Sequence, residues 1–296
     1  MAKTKWHKAL ILGSSEKEIE FAYEYLDNKR AWKQKEPDLF YNKLKKASIL
    51  IKAIDPNISL DEQLKKLIDK YKLELIINVG YATGLAFKSI VGDVVIGTQY
   101  IDLDNLLSAE TTNTINSIED NTKVDSNNTK DSITNSNNES NSLETLNNTL
   151  NSKQEIVNMI IEKAVEFKTP FFDGNIITST KSVDTPEEAK QLVDNYEAIA
   201  VDNIASDIAK IAADNNVDFA CIKAFSKIVN NDKHKKKINL TVNIRNLEET
   251  YGATFGVDSN HQNPDANKED LPPIERRPIV LAVELVENEK KDLYRM

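Results

Sequence analysis

Three charged residues stand at positions from which a side chain could act on a ligand. Glu18 lies in the first turn of a predicted helix, where it is either a solvated carboxylate or a catalytic group. Asp202 and Lys227 each follow a predicted strand, and a carboxylate at a strand end could accept a hydrogen bond from a ligand hydroxyl. The three histidines are scattered without the spacing of metal ligands, so we expect neither a metal site nor a cofactor.

Short apolar strands that alternate with amphipathic helices would position these side chains. Near-continuous apolar strands of this kind favour a mixed or parallel sheet covered by helices on both faces. The helices are predicted at Glu16–Asp27, at 60–71 after the capping residue Ser59, at Gln154–Phe167, after Thr185 and at Ser206–Ala213. The strands are predicted at Lys8–Gly13, Ala47–Ile54, Leu73–Asn78, Val91–Gly97, Gly174–Thr178, Ala198–Val201 and Asp218–Phe225.

A glycine-bearing segment joins two of these strands. After the buried strand Leu73–Asn78, Gly80 and Gly84 are interpreted as turn residues, because a tight turn uses the backbone freedom of glycine. Asp93, just before the next apolar run, is expected to cap or salt-bridge locally rather than to touch a ligand.

The composition excludes several classes of partner. The 296-residue chain has a net charge of −9, the wrong sign for binding nucleic acid or an anionic membrane. No apolar run approaches the roughly 20 residues that span a bilayer, and the first apolar run is too short for a signal peptide. With its single cysteine, Cys221, in an apolar run, the chain is expected to be a reduced, cytoplasmic protein.

Two segments depart from the alternating pattern. Asn, Ser and Thr dominate 111–153, and this segment is predicted to be a disordered insert because it has little apolar surface to bury. Ile238–Ile244 alternates with polar residues and Pro278–Val286 is an apolar run, so both are interpreted as strands. The predicted organisation is one α/β domain, 1–110 with 154–232, interrupted by the insert and followed by a strand-like extension, 233–296.

Five short motifs, in the same order along the chain, resemble motifs of the purine nucleoside phosphorylase and nucleosidase superfamily. The nearest pattern is that of the methylthioadenosine/S-adenosylhomocysteine nucleosidases, which cleave the bond between ribose and adenine with water. The resemblance implies a three-layer α/β/α sandwich around a central mixed sheet, and a homodimer. The motifs are Gly13–Glu18 for "GAMEEE", Gly80–Gly84 for "GSAGG", Val91–Val95 for "VGDIV", Ala200–Ala205 for "AVEMEG" and Lys223–Lys227 for "RAISD".

The resemblance also implies where a purine nucleoside would bind. Glu18 falls at the family's water-activating glutamate, while Ala82 and Thr83 lie in the segment whose backbone borders ribose and base. Ser182 falls near the aromatic residue that stacks on adenine, and Asn203 falls at the methionine beneath the ribose.

Two polar groups of that family are replaced in this chain. Ile204 falls at the glutamate that binds the ribose hydroxyls, and its side chain accepts no hydrogen bond. Lys227 falls at the aspartate that acts on purine N7, and losing acid–base assistance costs roughly 10²–10⁴ in rate. These departures favour a nucleoside- or partner-binding pseudoenzyme with little or no catalysis. The alternative is an active nucleosidase or phosphorylase that acts on a purine nucleoside such as methylthioadenosine or S-adenosylhomocysteine.

Overall fold

A computed structural model describes residues 5–86, 89–108, 149–229 and 276–287. Its helices are α1 (Glu16–Asp27), α2 (Leu60–Tyr71), α3 (Gln154–Glu166), α4 (Pro186–Tyr196), α5 (Ala205–Asp214) and α6 (Arg276–Glu287). Its strands are β1 (Lys8–Gly13), β2 (Trp32–Glu36), β3 (Leu39–Asn42), β4 (Ala47–Ala53), β5 (Leu75–Gly84), β6 (Val94–Asp102), β7 (Thr149–Asn151), β8 (Phe171–Thr178), β9 (Ala198–Asp202) and β10 (Asp218–Ile228). None of these helices is long and apolar enough to cross a membrane.

The strands form one mixed sheet that closes on itself at one end. Strands β5, β10, β6, β8 and β9 are paired in that order, and β9 pairs back onto β5. From β5 the sheet continues through β1, β4, β3 and β2, while β7 pairs with β6. The central mixed sheet implied by the resemblance is therefore confirmed, with a small barrel at the end that carries β5.

Helices cover both faces of the sheet and bury a separate core on each. The alternation of strand side chains is visible in β1, where Ile11 packs with α1, α3 and α6 and Leu10 packs on the other face with α2 and α5. Helix α4 lies against β9 over a third, smaller core. This arrangement confirms the three-layer α/β/α sandwich.

Local signals place several helices to within a residue. At α4, the Thr185 hydroxyl accepts a hydrogen bond from the Glu188 backbone while the Glu188 carboxylate accepts one from the Thr185 backbone, and Pro186 occupies the first turn. At α2, the Ser59 side chain accepts a hydrogen bond from the Glu62 backbone. The predicted bounds of β1 and α1 are confirmed as they stand.

Three strands, β2, β3 and β7, were not predicted from the sequence. The hairpin of β2 and β3 follows α1, and only Trp32 of β2 is buried, so the pattern lacks the apolar alternation of a half-buried strand. Strand β7 lies within the predicted insert 111–153, whose C-terminal boundary is therefore wrong. Leu150 of β7 packs on the core, and Lys153 forms an ion pair with Asp218. Residues 111–148 of the insert lie outside the described residues.

The interpretation of Gly80 and Gly84 as turn residues is wrong. Both belong to β5, which runs unbroken from Leu75 to Gly84, and the following strand begins only at Val94. Asp93 does cap locally, because its carboxylate accepts a hydrogen bond from the Ile90 backbone at 3.0 Å. At both positions the absence of a side chain lets neighbouring side chains pack closely against the strand, and the chain does not turn there.

The predicted strand at Pro278–Val286 is also wrong, because this segment belongs to helix α6. Nearly every side of α6 is buried, so its sequence reads as a continuous apolar run that does not distinguish helix from strand. Glu284 and Glu287 are three residues apart and lie on one face, where both accept hydrogen bonds from Lys29. The described part of the predicted C-terminal extension is thus helical, and the predicted strand Ile238–Ile244 lies outside the described residues.

Candidate functional site

The site lies where strand β5 changes its partner along one edge. β5 pairs in parallel with β1 as far as Asn78, and it pairs antiparallel with β9 from Thr83 onward. Between these points Gly80 has φ +128°, a conformation that favours glycine.

The Glu18 carboxylate fills the notch left by Gly80. A Cβ atom on Gly80 would lie 2.4 Å from Cδ of Glu18, so the missing side chain is what admits the carboxylate. The carboxylate accepts a hydrogen bond from the Ser14 backbone at 2.5 Å and one from the Tyr81 backbone at 3.3 Å. Glu18 is buried, so of the two readings of this residue the structure excludes the solvated first-turn carboxylate.

A buried lysine on β10, which the sequence analysis did not single out, faces the same notch. Lys223 is aligned with Gly80 in the parallel register, so its side chain leaves the same face of the sheet as the Glu18 carboxylate. Its Nζ lies 3.3 Å from Oδ2 of Asp202, and neither side chain is exposed. Although burial acts against the charged form, the Asp202 carboxylate keeps the pKa of Lys223 above its ordinary value. The available signal was a lysine within the apolar strand sequence DFACIKAF.

The Asp202 carboxylate is already engaged by groups of the chain itself. Oδ1 accepts hydrogen bonds from the Thr178 hydroxyl at 2.9 Å and from the backbones of Ile204 at 3.3 Å and Ala205 at 3.1 Å. Oδ2 accepts a second bond from the Ala205 backbone and contacts Lys223. Asp202 therefore holds the N-terminus of α5, and few of its lone pairs remain for a ligand hydroxyl.

A cavity of about 290 Å³ opens at the ends of β5, β9 and β10. Five of the predicted site residues line it, namely Ala82, Thr83, Ser182, Asp202 and Asn203. Glu18, Ile204 and Lys227 are not among its lining residues, although each neighbours one that is. The remaining lining residues are Tyr81, Ser179, Thr180, Lys181, Val183, Val201 and Ser226.

The segment from Ser179 to Val183 forms one wall of the cavity and is held from one side by Asp104. The Asp104 carboxylate accepts bonds from the Thr180 backbone at 2.8 Å, the Thr180 hydroxyl at 2.7 Å and the Ser179 hydroxyl at 3.2 Å. These bonds, led by that of the Thr180 backbone, lower the pKa of Asp104. The wall is thus fixed at its beginning by a charged anchor.

Lys227 holds the other end of this wall. The pairing of β10 with β5 shifts register between Phe225 and Lys227, a bulge that leaves Ser226 lining the cavity. The Lys227 ammonium donates to the Val183 carbonyl at 3.1 Å and forms an ion pair with Asp184. The Lys227 side chain therefore links β10 to the wall, and it does not project freely into solvent.

Ile204 packs against the core and is not among the residues that line the cavity. It is the N-cap residue of α5, it is half-buried, and it packs with the apolar cluster that contains Ala205 and Ile208. Its neighbour Asn203 is exposed and lines the cavity. The position implied for a ribose-binding acid is thus occupied by an apolar contact.

Taken together, the lining offers hydroxyl and amide groups with one cation, Lys181, and one carboxylate, Asp202, whose oxygens are already engaged by the chain. Such groups can donate to and accept from a neutral, hydroxyl-rich ligand. Among the described residues no group of three or more His, Cys, Asp or Glu could hold a metal ion.

Comparisons with known proteins agree with this fold. The nucleosidase of Helicobacter pylori, solved as a mutant with 5′-methylthioadenosine in its active site, superimposes with a TM-score of 0.58 at 14% identity, covering 96% of this chain and 99% of its own. The 5′-methylthioadenosine/S-adenosylhomocysteine nucleosidase of Neisseria meningitidis, in complex with methylthio-immucillin-A, gives 0.58 at 16% identity and covers 96% and 100%. A futalosine hydrolase mutant of Helicobacter pylori gives 0.53 at 16% identity and covers 74% and 89%.

At these identities the solved structures establish the fold alone. No curated protein sequence matches the chain. The family model of the phosphorylase superfamily matches residues 8–250. The matched range includes the notch at Gly80, the two residues that hold the cavity wall, Asp104 and Lys227, and all the lining residues. This chain therefore belongs to the phosphorylase superfamily.

Proposed function

We propose that this protein binds a purine nucleoside in the cavity and cleaves its N-glycosidic bond slowly or not at all. Related structures are described with 5′-methylthioadenosine or methylthio-immucillin-A bound, which supports a nucleoside as the ligand. The observation that carries the proposal is the pair of contacts that the Lys227 ammonium makes with Asp184 and Val183. The position that the resemblance assigns to the acid at purine N7 holds an ammonium tied to Asp184 and the Val183 carbonyl.

The chemistry of the reaction explains why this substitution matters. Cleavage leaves electrons on the purine, and a proton shared at N7 stabilises them in the transition state. A lysine can donate a hydrogen bond to N7, but its ordinary pKa makes it a poor proton donor at neutral pH. The missing acid therefore costs roughly 10²–10⁴ in rate.

The sugar side of the cavity supports the same proposal. Ile204 offers no acceptor to the ribose hydroxyls, and the acceptors of Asp202 are used by Thr178, α5 and Lys223. Groups that remain available to the sugar are the Thr83 hydroxyl and the Asn203 amide, both of which line the cavity. Neutral groups of this kind support binding more readily than they support the charge that develops during cleavage.

A second candidate function, an active nucleosidase, is favoured by Glu18. A buried carboxylate held by the Ser14 and Tyr81 backbones is suited to take a proton from water beside the cavity. If water attack alone carries the reaction, other residues must support the leaving base.

The two functions are separated by measuring binding and turnover on one set of compounds. The purified protein is incubated with methylthioadenosine, S-adenosylhomocysteine, adenosine and inosine, with and without phosphate, and free base is followed while calorimetry gives Kd. We expect saturable binding with base release far below about 1 s⁻¹. As a control, Ser182→Trp fills the cavity from its wall and should abolish binding while the protein stays folded.

Release of base at about 1 s⁻¹ or faster, abolished by Glu18→Ala, would establish the active nucleosidase instead. Absence of both binding and turnover for all four compounds would refute both functions.

Restoring the ribose acceptor at position 204 and the acid at position 227 tests whether the cavity has kept its shape and lost only these two groups. Lys227→Asp alone would set a carboxylate against Asp184, so the designed variant combines Ile204→Glu, Lys227→Asp and Asp184→Asn. We expect base release to rise at least tenfold above that of the wild-type protein, and Glu18→Ala in this background to remove the gain. A folded triple variant that binds nucleoside without any gain would contradict the assignment of positions 204 and 227.

A further inference from the structure

The Lys227–Asp184 pair lies at the rim of the cavity and has unused hydrogen-bonding capacity. The two residues contact Val183 and Ser182, both of which line the cavity, and Ser226 beside Lys227 lines it as well. The side chains are 44% and 63% exposed, and solvated pairs of this kind add little to stability. The pair is thus within reach of a ligand that extends to the rim of the cavity.

Counting donors and acceptors defines what the pair offers to a ligand. A lysine ammonium has three N–H donors, and here one serves the Val183 carbonyl and one serves Oδ1 of Asp184. Oδ1 also accepts a bond from the Ser182 hydroxyl at 2.9 Å, whereas Oδ2 receives no hydrogen bond from the described residues. One N–H donor and one negatively charged acceptor of the pair therefore remain available to a ligand. The Lys227 hydrogen bond lowers the pKa of Asp184, so this acceptor stays ionised at neutral pH.

We propose that the Lys227–Asp184 pair selects the base of the bound nucleoside and prefers a 6-aminopurine to a 6-oxopurine. The inference rests on the proposed function, since it needs a purine nucleoside in the cavity. Adenine presents an acceptor at N7 beside a donor at its 6-amino group, which matches the free N–H of Lys227 and Oδ2 of Asp184. Hypoxanthine and guanine present two acceptors, N7 and O6, so their O6 would face the carboxylate without a shared proton.

The expected selectivity follows from the value of such a two-point contact. A well-placed pair of hydrogen bonds discriminates between bases by a factor of roughly 5 to 150. Because both side chains are partly solvated, we expect the lower part of this range, about tenfold in Kd.

The test compares the Kd of adenosine with that of inosine by calorimetry. The wild-type protein should bind adenosine about tenfold more tightly. Asp184→Asn keeps the shape of the side chain but can donate to O6, so it should bring the two Kd values within about threefold. Lys227→Met should weaken both nucleosides to a similar extent, because N7 is common to them.

An ion pair on another helix provides a matched control. The exposed pair of Lys65 and Asp61 on α2 is remote from the cavity, and Lys65→Met with Asp61→Asn should change neither Kd. Equal Kd values for both nucleosides in the wild-type protein would overturn the inference and leave the proposed function standing. A ratio unchanged by Asp184→Asn, in a variant with wild-type melting temperature, would overturn the role of Asp184. Binding of neither nucleoside would overturn the proposed function and the inference together.

Discussion

Replacing Gly80 with alanine should displace the Glu18 carboxylate from its notch. A Cβ at Gly80 would lie 2.4 Å from Cδ and 2.5 and 2.6 Å from the two carboxylate oxygens, well inside contact distance. The alanine would also have to adopt φ +128°, which costs about 1–3 kcal/mol. The lost bonds to the Ser14 and Tyr81 backbones, made to a charged group, add about 1.5–3 kcal/mol. Gly80→Ala should therefore lower the free energy of unfolding by about 2.5–6 kcal/mol.

A double-mutant cycle isolates the contact between the two residues. In the Glu18→Ala background the notch is empty, so Gly80→Ala should cost only the backbone strain of about 1–3 kcal/mol. The coupling free energy, measured by urea unfolding of the four proteins, should be about 1.5–3 kcal/mol. The same cycle with Glu16→Ala, an exposed acid in the same helical turn, should give no coupling. An equal cost of Gly80→Ala with and without Glu18 would refute the placement of the carboxylate.

Three further predictions concern other parts of the fold. Lys223→Met should lower the free energy of unfolding by about 3–5 kcal/mol because it leaves a buried carboxylate unpaired, and Asp202→Asn in the same chain should recover part of that loss in urea unfolding. Deletion of 111–148 should shift the melting temperature by no more than about 3 °C, whereas a deletion that includes Thr149–Asn151 should lower it further because β7 pairs with β6. Burial acts to lower the pKa of Lys29, but hydrogen bonds to Glu284 and Glu287 raise this pKa above 10.5. The stabilisation by these two ion pairs is therefore complete below pH 10.5 and is lost as pH rises through the higher folded-state pKa. The stability difference between wild type and Lys29→Met, measured from urea midpoints, should therefore shrink above pH 10.5 and not below it.

Elements defined by local sequence signals could be predicted well. The cap, proline and acids at Thr185–Glu188 fix the start of α4 because each acts within one helical turn. The apolar strand β1 and the helix after it are likewise set by short-range periodicity. The motifs that carried the family resemblance lie on such elements, so the fold class could be inferred together with them.

Features set by contacts between distant residues could not be predicted. Gly80 reads as a turn glycine until the carboxylate of Glu18, 62 residues earlier, is placed where its side chain would be. Lys227 reads as a surface residue because its partner Asp184 lies on another element, 43 residues away. Helix α6 reads as a strand because its burial on nearly all sides hides the helical period. In each case tertiary packing overrides the local pattern.

The cavity bounded by Tyr81–Thr83 and Ser179–Val183 is proposed to hold a purine nucleoside without efficient cleavage. The proposal is tested most directly by a crystal structure of the protein flash-cooled about ten seconds after methylthioadenosine is added, a time that spans several turnovers at about 1 s⁻¹. Intact methylthioadenosine is expected in this cavity, with its base beside the pair of Lys227 and Asp184. Free adenine in the cavity, or a nucleoside bound at another surface, would contradict it.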